Sequence, residues 1–323
     1  MKPERPSRDS ASQFWLRKRV LLTGGGGFVG SAVREALLGR GVPEASILVP
    51  SSRSLDLRVL ENCRRAVRGC DIVIHLAAST GGIAFARAHP ASQYRDCTLI
   101  NLQMLDAARE SGVGKFVALG NLLAYPAAAE SPLREELVYD GAIASTHLGI
   151  GLAKRDMLAL AEMYYREFGL NVVNVLAANA YGPRDRFEGP NAHVIPATIV
   201  KCFRDEDLLV WGDGSPTRDF LFVEDIAEGI LLAAERMEAP GFVNLASGAE
   251  ISIADLVKQI AALCGFHRRI VFDASKGGGD PRRVASTARA EELIGFSPRV
   301  PLGEGLQKTI NWYRQTTAIP VSR

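Results

Sequence analysis

VLLTGGGGFVG, at residues 20–30, joins a short apolar run to a cluster of glycines, and residues 31–38 then show helical periodicity. A strand, a glycine-rich turn and a helix in this order form the unit that binds the pyrophosphate of a dinucleotide. Glycine suits this turn because the backbone must bend tightly and approach the phosphates closely. The N-terminus of the following helix then faces their negative charge.

Four consecutive glycines leave the register of the motif open. Gly25 and Gly24 can each serve as its first glycine, followed in either case by Gly27 and Gly30. The turn predicts cofactor contacts at Gly24, Gly27, Phe28, Val29 and Gly30.

The rest of the chain alternates between apolar runs and amphipathic stretches. Further strands are predicted at residues 47–49, 72–74, 116–119 and 172–175, and an amphipathic helix is predicted at residues 155–168. Continuous apolar strands alternating with helices indicate a parallel sheet covered on both faces. We therefore predict an α/β fold, a doubly wound Rossmann sheet with a smaller C-terminal substrate-binding lobe. The predicted divisions are a leader at 1–16, a dinucleotide-binding domain at 17–178 and 219–246, and a lobe at 179–218 and 247–323.

Composition narrows the class of protein. The formal charge is +2 with no long basic block, which argues against nucleic acid or a membrane surface as a partner. The five cysteines show no zinc-type spacing, so we predict reduced, buried thiols and no metal site. No secretory signal or membrane-length apolar run is evident, and we predict a cytoplasmic protein.

The residues after the second predicted strand bear on the choice between NAD and NADP. An acidic residue there would bind the ribose 2′-hydroxyl, but residues 49–53 read VPSSR. Arg53 and its neighbouring serines suit a 2′-phosphate, so NAD(P) is predicted with NADP favoured; an exposed loop arginine without this role is the alternative. Asp56 and Leu57 are predicted adenine contacts, and Leu76, Ala77 and Ala78 are predicted to line the cofactor.

Several longer motifs point to a known family. They are the glycine turn, HLAA at 75–78, GGI at 81–83, NAYGP at 179–183, NAHVIP at 191–196, VWG at 210–212, PTRDFL at 216–221 and VFDASK at 271–276. With these motifs the chain resembles the extended short-chain dehydrogenase/reductases, the NAD-dependent epimerase/dehydratase family, and within them the GDP-L-fucose synthases. The resemblance covers nearly the whole chain from Arg19 onward.

The resemblance implies a lobe that closes over a GDP-sugar, a homodimer formed through two helices of each subunit, and a set of site residues. The implied substrate-binding residues are Asn179, His193, Val194, Trp211, Arg218 and Lys276. Arg218 and Lys276 supply positive charge suited to a diphosphate, and Trp211 offers an aromatic face to the base. Lys154 is the implied ligand of the nicotinamide ribose.

The catalytic motif of the family is incomplete in this chain. Tyr-x-x-x-Lys places both side chains on one helical face, and the lysine lowers the pKa of the tyrosine. Reading back from Lys154, the tyrosine position holds Ile150. Where the resemblance implies two serines and an epimerisation cysteine, the chain has Asn121, Leu122 and Leu123, whereas His193 matches the second epimerisation residue.

Three functions stay open on these residues. The leading interpretation is a non-redox GDP-hexose isomerase, a pyranose–furanose mutase with His193 and Lys154 as catalytic residues, because ring contraction needs no tyrosine. The second is a redox epimerase/reductase in which His147, Tyr125 or a water replaces the lost acid. The third is a non-catalytic protein that binds nucleotide sugar or NAD(P). For His147 itself, an exposed loop position without function is the favoured interpretation.

Overall fold

A computed structural model describes residues 13–81, 83–189, 192–204, 206–276 and 280–317. The strands are β1 (Val20–Thr23), β2 (Ile47–Leu48), β3 (Ile72–His75), β4 (Lys115–Asn121), β5 (Val172–Ala177), β6 (Asn179–Tyr181), β7 (Leu208–Trp211), β8 (Thr217–Arg218), β9 (Phe220–Phe222), β10 (Gly241–Leu245), β11 (Ile251–Ser252), β12 (Ile270–Asp273) and β13 (Arg282–Arg283). The α-helices are α1 (Phe28–Gly39), α2 (Leu60–Val67), α3 (Ile83–Ala88), α4 (Pro90–Glu110), α5 (Leu148–Phe168), α6 (Val194–Cys202), α7 (Val223–Arg236), α8 (Ile253–Cys264), α9 (Ala288–Ile294) and α10 (Leu302–Thr317).

Six parallel strands form the central sheet, in the order β10-β5-β4-β3-β1-β2. The order reverses at β1, which has β2 on one side and β3 on the other. In open α/β sheets, ligands bind beyond the carboxyl ends of the strands at such a switch point. The topology therefore places the ligand cleft beyond Thr23 and His75, which are paired in register at the ends of β1 and β3.

Helices cover both faces of the sheet. One core joins α1 and α7 to strand residues such as Val20 and Leu22, and the other joins α2, α4 and α5 to Leu21 and its equivalents. Successive strand residues point to opposite faces, so strands buried on both faces must be apolar throughout. This requirement explains the continuous apolar runs of the sequence and confirms the predicted Rossmann fold.

A third core belongs to the lobe. It is formed by side chains of β6, β7, β9, α6, α8 and α10, among them Tyr181, Leu208 and Ile260. The lobe has a three-stranded sheet, β11-β8-β13, and a parallel pair, β7-β12. Side chains from Ala285 to Phe296 pack with the core of the first domain instead. The predicted division of the chain into domain and lobe stays a prediction.

Several local expectations are refined by the structure. The helix expected from residue 155 begins at Leu148, so it includes Ile150 and Lys154. Of the predicted leader, residues 1–12 lie outside the described residues, while Trp15 is buried and donates from Nε1 to Glu235 at 2.6 Å. All five cysteines are buried and free, as predicted. Within the described residues, no helix is long and apolar enough to cross a membrane.

Candidate active site

The glycine turn lies at the switch point, and its backbone is closely packed. Gly24 has φ of +69°, a left-handed conformation that favours glycine. A Cβ at Gly25 would lie 2.8 Å from Val49 Cγ1, and a Cβ at Gly30 would lie 2.2 Å from the Gly24 carbonyl oxygen, so α1 packs directly on the turn. Around Gly26, by contrast, a Cβ would meet no atom within 4 Å. The packing therefore requires glycine at both candidate first positions, Gly24 and Gly25, and the register of the motif stays open.

A buried polar chain connects the ends of β1 and β3. The Thr23 hydroxyl lies 2.9 Å from His75 Nδ1, and His75 Nε2 lies 3.2 Å from Asn101 Oδ1. The backbone N–H of Ala77 donates to Thr23 Oγ1 at 3.3 Å. Burial and the nearby Lys154 lower the pKa of His75 to about 3. His75 is therefore a neutral structural group, and it fixes the predicted cofactor wall at Leu76, Ala77 and Ala78.

The loop after β2 holds the residues predicted to bind the adenosine half of the cofactor. Arg53 is exposed, as are Ser51 and Ser52. Asp56 pairs with Arg58 at 2.8 Å, and this hydrogen-bonded arginine lowers the pKa of Asp56 to about 2. Leu57 is buried beneath them. Arg53, the residue predicted to bind a 2′-phosphate, is therefore exposed to solvent. The Asp56 carboxylate is already paired with Arg58.

Lys154 reaches the cleft from α5. Its ammonium donates to the carbonyl oxygen of Leu119, near the carboxyl end of β4, at 2.6 Å. Burial lowers the pKa of Lys154. Lys154 therefore lies at the same edge of the sheet as the glycine turn, where its predicted role at the nicotinamide ribose requires it.

Ile150 lies four residues before Lys154, where the family motif has a tyrosine, and it packs in an apolar cluster. Ile150 is 5% exposed and packs with Cys97 and Ala153, and Ala78 and Leu123 border the same cluster. Leu123 is the residue that replaces the epimerisation cysteine. The two substitutions are therefore in one cluster, and neither side chain can exchange a proton.

Of the groups considered as a replacement acid, Tyr125 is excluded by its surroundings. Its ring is fully buried and its hydroxyl donates to Asn244 Oδ1 at 2.9 Å. The favoured interpretation of His147 as an exposed loop residue is wrong, because His147 is 6% exposed, between a 3-10 turn and α5. The helical periodicity of the sequence covers residues 155–168 and gave no sign that His147, which precedes it, is buried.

His193 has a neighbour that the sequence did not reveal. His193 is the N-cap residue of α6, and its Nδ1 lies 3.6 Å from Oδ1 of the buried Asp185. Asp185 Oδ2 is also buried and has no hydrogen-bond partner among the described residues. The Asp185 carboxylate is therefore the acidic neighbour of the His193 imidazole in the described part of the chain. No group of three or more His, Cys, Asp or Glu suited to a metal occurs in the described part of the chain.

The predicted substrate residues lie on the lobe side of the cleft. Arg218 is half-buried on β8 and donates to its neighbour's carbonyl oxygen. Trp211 is 64% exposed at the end of β7. The Nζ atom of Lys276 lies 3.2 Å from Oδ2 of Asp273. Asn179 donates from Nδ2 to the carbonyl oxygen of Asp219 at 2.8 Å, and Val194 begins α6. Their roles toward a substrate stay predictions.

Arg283 is a further lobe residue that sequence reasoning missed. It is 6% exposed, donates to the carbonyl oxygens of Leu122 and Pro126 at 3.1 and 3.2 Å, and pairs with Asp280 at 3.1 Å. Arg283 thus binds the loop that contains Leu123 to the lobe. The consecutive Arg282 and Arg283 were the available signal, but paired arginines usually indicate an exposed surface.

The fold, the switch point, the glycine turn and Lys154 are those of a dinucleotide-binding α/β protein. Residues 20–246 match the NAD dependent epimerase/dehydratase family, and the chain belongs to that family. This membership confirms the predicted NAD(P) cofactor class.

Individual relatives match over almost the full chain. A GDP-L-fucose synthase of Sinorhizobium fredii is 32% identical over 90% of this chain and 94% of its own. A dTDP-4-dehydro-6-deoxy-D-allose reductase of a Streptomyces species is 33% identical over 93% and 97%. The crystal structure of a GDP-L-fucose synthetase from Naegleria fowleri bound to NADP aligns with TM-score 0.84 at 24% identity, covering 94% of this chain and 96% of the other.

These relatives overturn the leading functional interpretation. The predicted pyranose–furanose mutase is wrong, because the full-length relatives are named as a synthase and a reductase. The prediction took the loss of the tyrosine as the loss of redox chemistry. The glycine turn and Lys154, the predicted cofactor contacts, are present in the structure, and the apolar replacements lie together at Ile150 and Leu123.

Proposed function

We propose that this chain is an NADP-linked epimerase/reductase of a GDP-activated 4-keto sugar, in which a group other than residue 150 supplies the acid. The observation that supports it most is the 32% identity to a GDP-L-fucose synthase across 90% of this chain. The match includes both the Rossmann domain and the lobe, so it extends to cofactor and substrate sides alike.

On the cofactor side, the turn from Gly24 to Gly30 would hold the pyrophosphate against the N-terminus of α1. Arg53 would pair with the 2′-phosphate, which distinguishes NADP from NAD. Lys154 would bind the nicotinamide ribose. The bound nicotinamide supplies a hydride to the sugar, and the protein's own task is to position the sugar and deliver a proton.

On the substrate side, Trp211 would stack on the base, and Arg218 and Lys276 would bind the diphosphate. His193, supported by Asp185, is the retained acid–base group for epimerisation. Leu123 cannot act as its partner, so we expect epimerisation to be slower than reduction.

The experiment is a substrate panel with NADPH oxidation followed at 340 nm. GDP-4-keto-6-deoxymannose should be reduced, dTDP- and UDP-4-keto sugars should be poorer substrates, and NADH should be a poorer reductant. Lys154→Met should lose most of this activity. The absence of NADPH oxidation with every 4-keto sugar would refute the proposal. Tight binding without turnover would then favour a non-catalytic nucleotide-sugar protein, for which the apolar cluster at Ile150 is the supporting observation.

A further inference from the structure

His147 lies directly before α5, the helix that contains Ile150 and Lys154. The spacing of three and then four residues places these positions along one side of a helix. A Cβ at Gly151 would lie 3.4 Å from His147 Cδ2 and 2.6 Å from the carbonyl oxygen of Leu123. The imidazole is therefore beside the loop that replaces the family's serine and cysteine positions.

Only one of the two ring nitrogens has a partner. Nδ1 lies 3.1 Å from the hydroxyl of Thr146, while Nε2 is buried and has no hydrogen-bond partner among the described residues. A buried polar atom without a partner destabilises the protein, so such atoms in native structures call for an explanation. A hydrogen bond to bound substrate would provide it.

The charges around His147 come from the lobe. Asp280 and Arg283 both interact electrostatically with His147. The same two charged groups interact electrostatically with Arg218, the predicted diphosphate ligand. His147 is thus between the cations of the lobe and the cluster of Ile150 and Leu123. A sugar that joins a diphosphate at Arg218 to a nicotinamide at Lys154 must pass through this region.

We propose that His147 Nε2 is the catalytic acid that replaces the missing tyrosine. The inference rests on the proposed function. Reduction of the ketone adds a hydride, which NADPH provides, and a proton, which leaves imidazolium Nε2 for the ketone oxygen. The products are the alcohol, NADP⁺ and a neutral imidazole, so electrons and protons balance.

The proposal predicts a characteristic pH dependence. Burial lowers the pKa of His147, the Arg283 guanidinium lowers it further, and the Asp280 carboxylate opposes both; the neighbouring Thr146 does not titrate. A proton donor must be protonated to act. The reduction rate should therefore fall as pH rises through a pKa below the ordinary histidine value of about 6.5.

The test compares His147→Gln with the exposed control His267→Gln, after melting curves show that both variants are folded. NADPH oxidation is measured from pH 5 to 8, and GDP affinity by calorimetry. His147→Gln should lose about 10²- to 10⁴-fold in kcat, lose the fall in rate with rising pH, and retain GDP affinity within twofold. His267→Gln should match the wild type.

Wild-type kcat and an unchanged pH profile in His147→Gln would overturn this inference and leave the proposed function standing. An inactive wild type on all 4-keto sugars would overturn the proposed function and the catalytic role together. NMR of the imidazole provides a readout independent of turnover. The His147 resonances should shift when unreactive GDP-mannose binds, and no shift would count against contact with substrate.

Discussion

At the level of single residues, Ile150 and Leu123 share one apolar cluster with Ala78 and Cys97. A serine hydroxyl opposite Ile150 would lie against an apolar wall at a cost in stability, whereas the buried Cys97 shows that this cluster accommodates a thiol. Neither Ile150 nor Leu123 can exchange a proton.

Restoring a tyrosine at position 150 tests whether a phenol there can donate a proton to the substrate. Ile150→Tyr places a phenol four residues before Lys154, and Ile150→Phe is the matched control with the same ring and no hydroxyl. Both should overpack the cluster and destabilise the protein by about 1–3 kcal/mol. Ile150→Tyr should oxidise NADPH at pH 8 at least about tenfold faster than Ile150→Phe, because only the phenol donates a proton. Equal rates would show that the phenol does not reach the substrate.

Arg218 provides a second test at this scale. Arg218→Ala removes charge-assisted hydrogen bonds to the diphosphate and should weaken GDP binding by about 1.5–3 kcal/mol, or roughly tenfold to a hundredfold. Calorimetry with GDP measures the effect. Arg269→Ala, which removes an exposed lobe arginine paired with Asp207, should leave the affinity unchanged. A similar loss in both variants would indicate a general charge effect instead of a diphosphate contact.

At the level of elements, the packing of α1 on the glycine turn sets the shape of the cofactor site. In Gly30→Ala, the new Cβ would lie 2.2 Å from the Gly24 carbonyl oxygen, so the helix must shift. We expect a loss of about 1–3 kcal/mol in the free energy of unfolding and a large loss of NADP affinity. Gly26→Ala should change that free energy by less than about 0.5 kcal/mol, since no atom lies near its Cβ. Urea unfolding of both apo variants decides between them.

The buried imidazole of His75, at the end of β3, predicts how the free energy of unfolding depends on pH. His75 has a pKa of about 3 in the folded protein, below the unfolded value of about 6.5. The unfolded chain therefore binds the proton more readily, so this stabilisation is complete above pH 6.5 and is lost as pH falls toward 3. Between pH 7 and 4.5, the wild type should lose about 2–3 kcal/mol more than His75→Gln in urea unfolding. His267→Gln should keep the wild-type dependence.

At the level of the whole molecule, α4 and α5 leave large apolar side chains exposed. Met163 is 58% exposed, Phe168 44%, and Tyr94 36%, and the Tyr94 hydroxyl donates to Asp156 across the two helices. This surface supports the predicted homodimer, which stays a prediction. Sedimentation should give a dimer, and Met163→Glu should give a folded monomer because it buries a charge in the interface. A monomeric wild type at micromolar concentration would contradict it.

The sequence by itself determined the Rossmann fold, the glycine turn and the family. These follow from local patterns: apolar runs that must be buried on both faces, and glycines that a tight turn requires. The sequence also identified Lys154 and Ile150, because the spacing of four residues in the helical motif places the one relative to the other. Only the tertiary structure placed Gly30 against the Gly24 carbonyl oxygen and Ile150 against Leu123.

Tertiary structure alone also revealed the burial of His147, the pairing of His193 with Asp185, and the attachment of the Leu123 loop to Arg283. The last of these contacts joins residues 161 positions apart in the chain. Contacts of this kind depend on how the lobe packs against the domain, and no local periodicity encodes that packing. The residues missed from the sequence are therefore those whose burial or partners depend on tertiary packing.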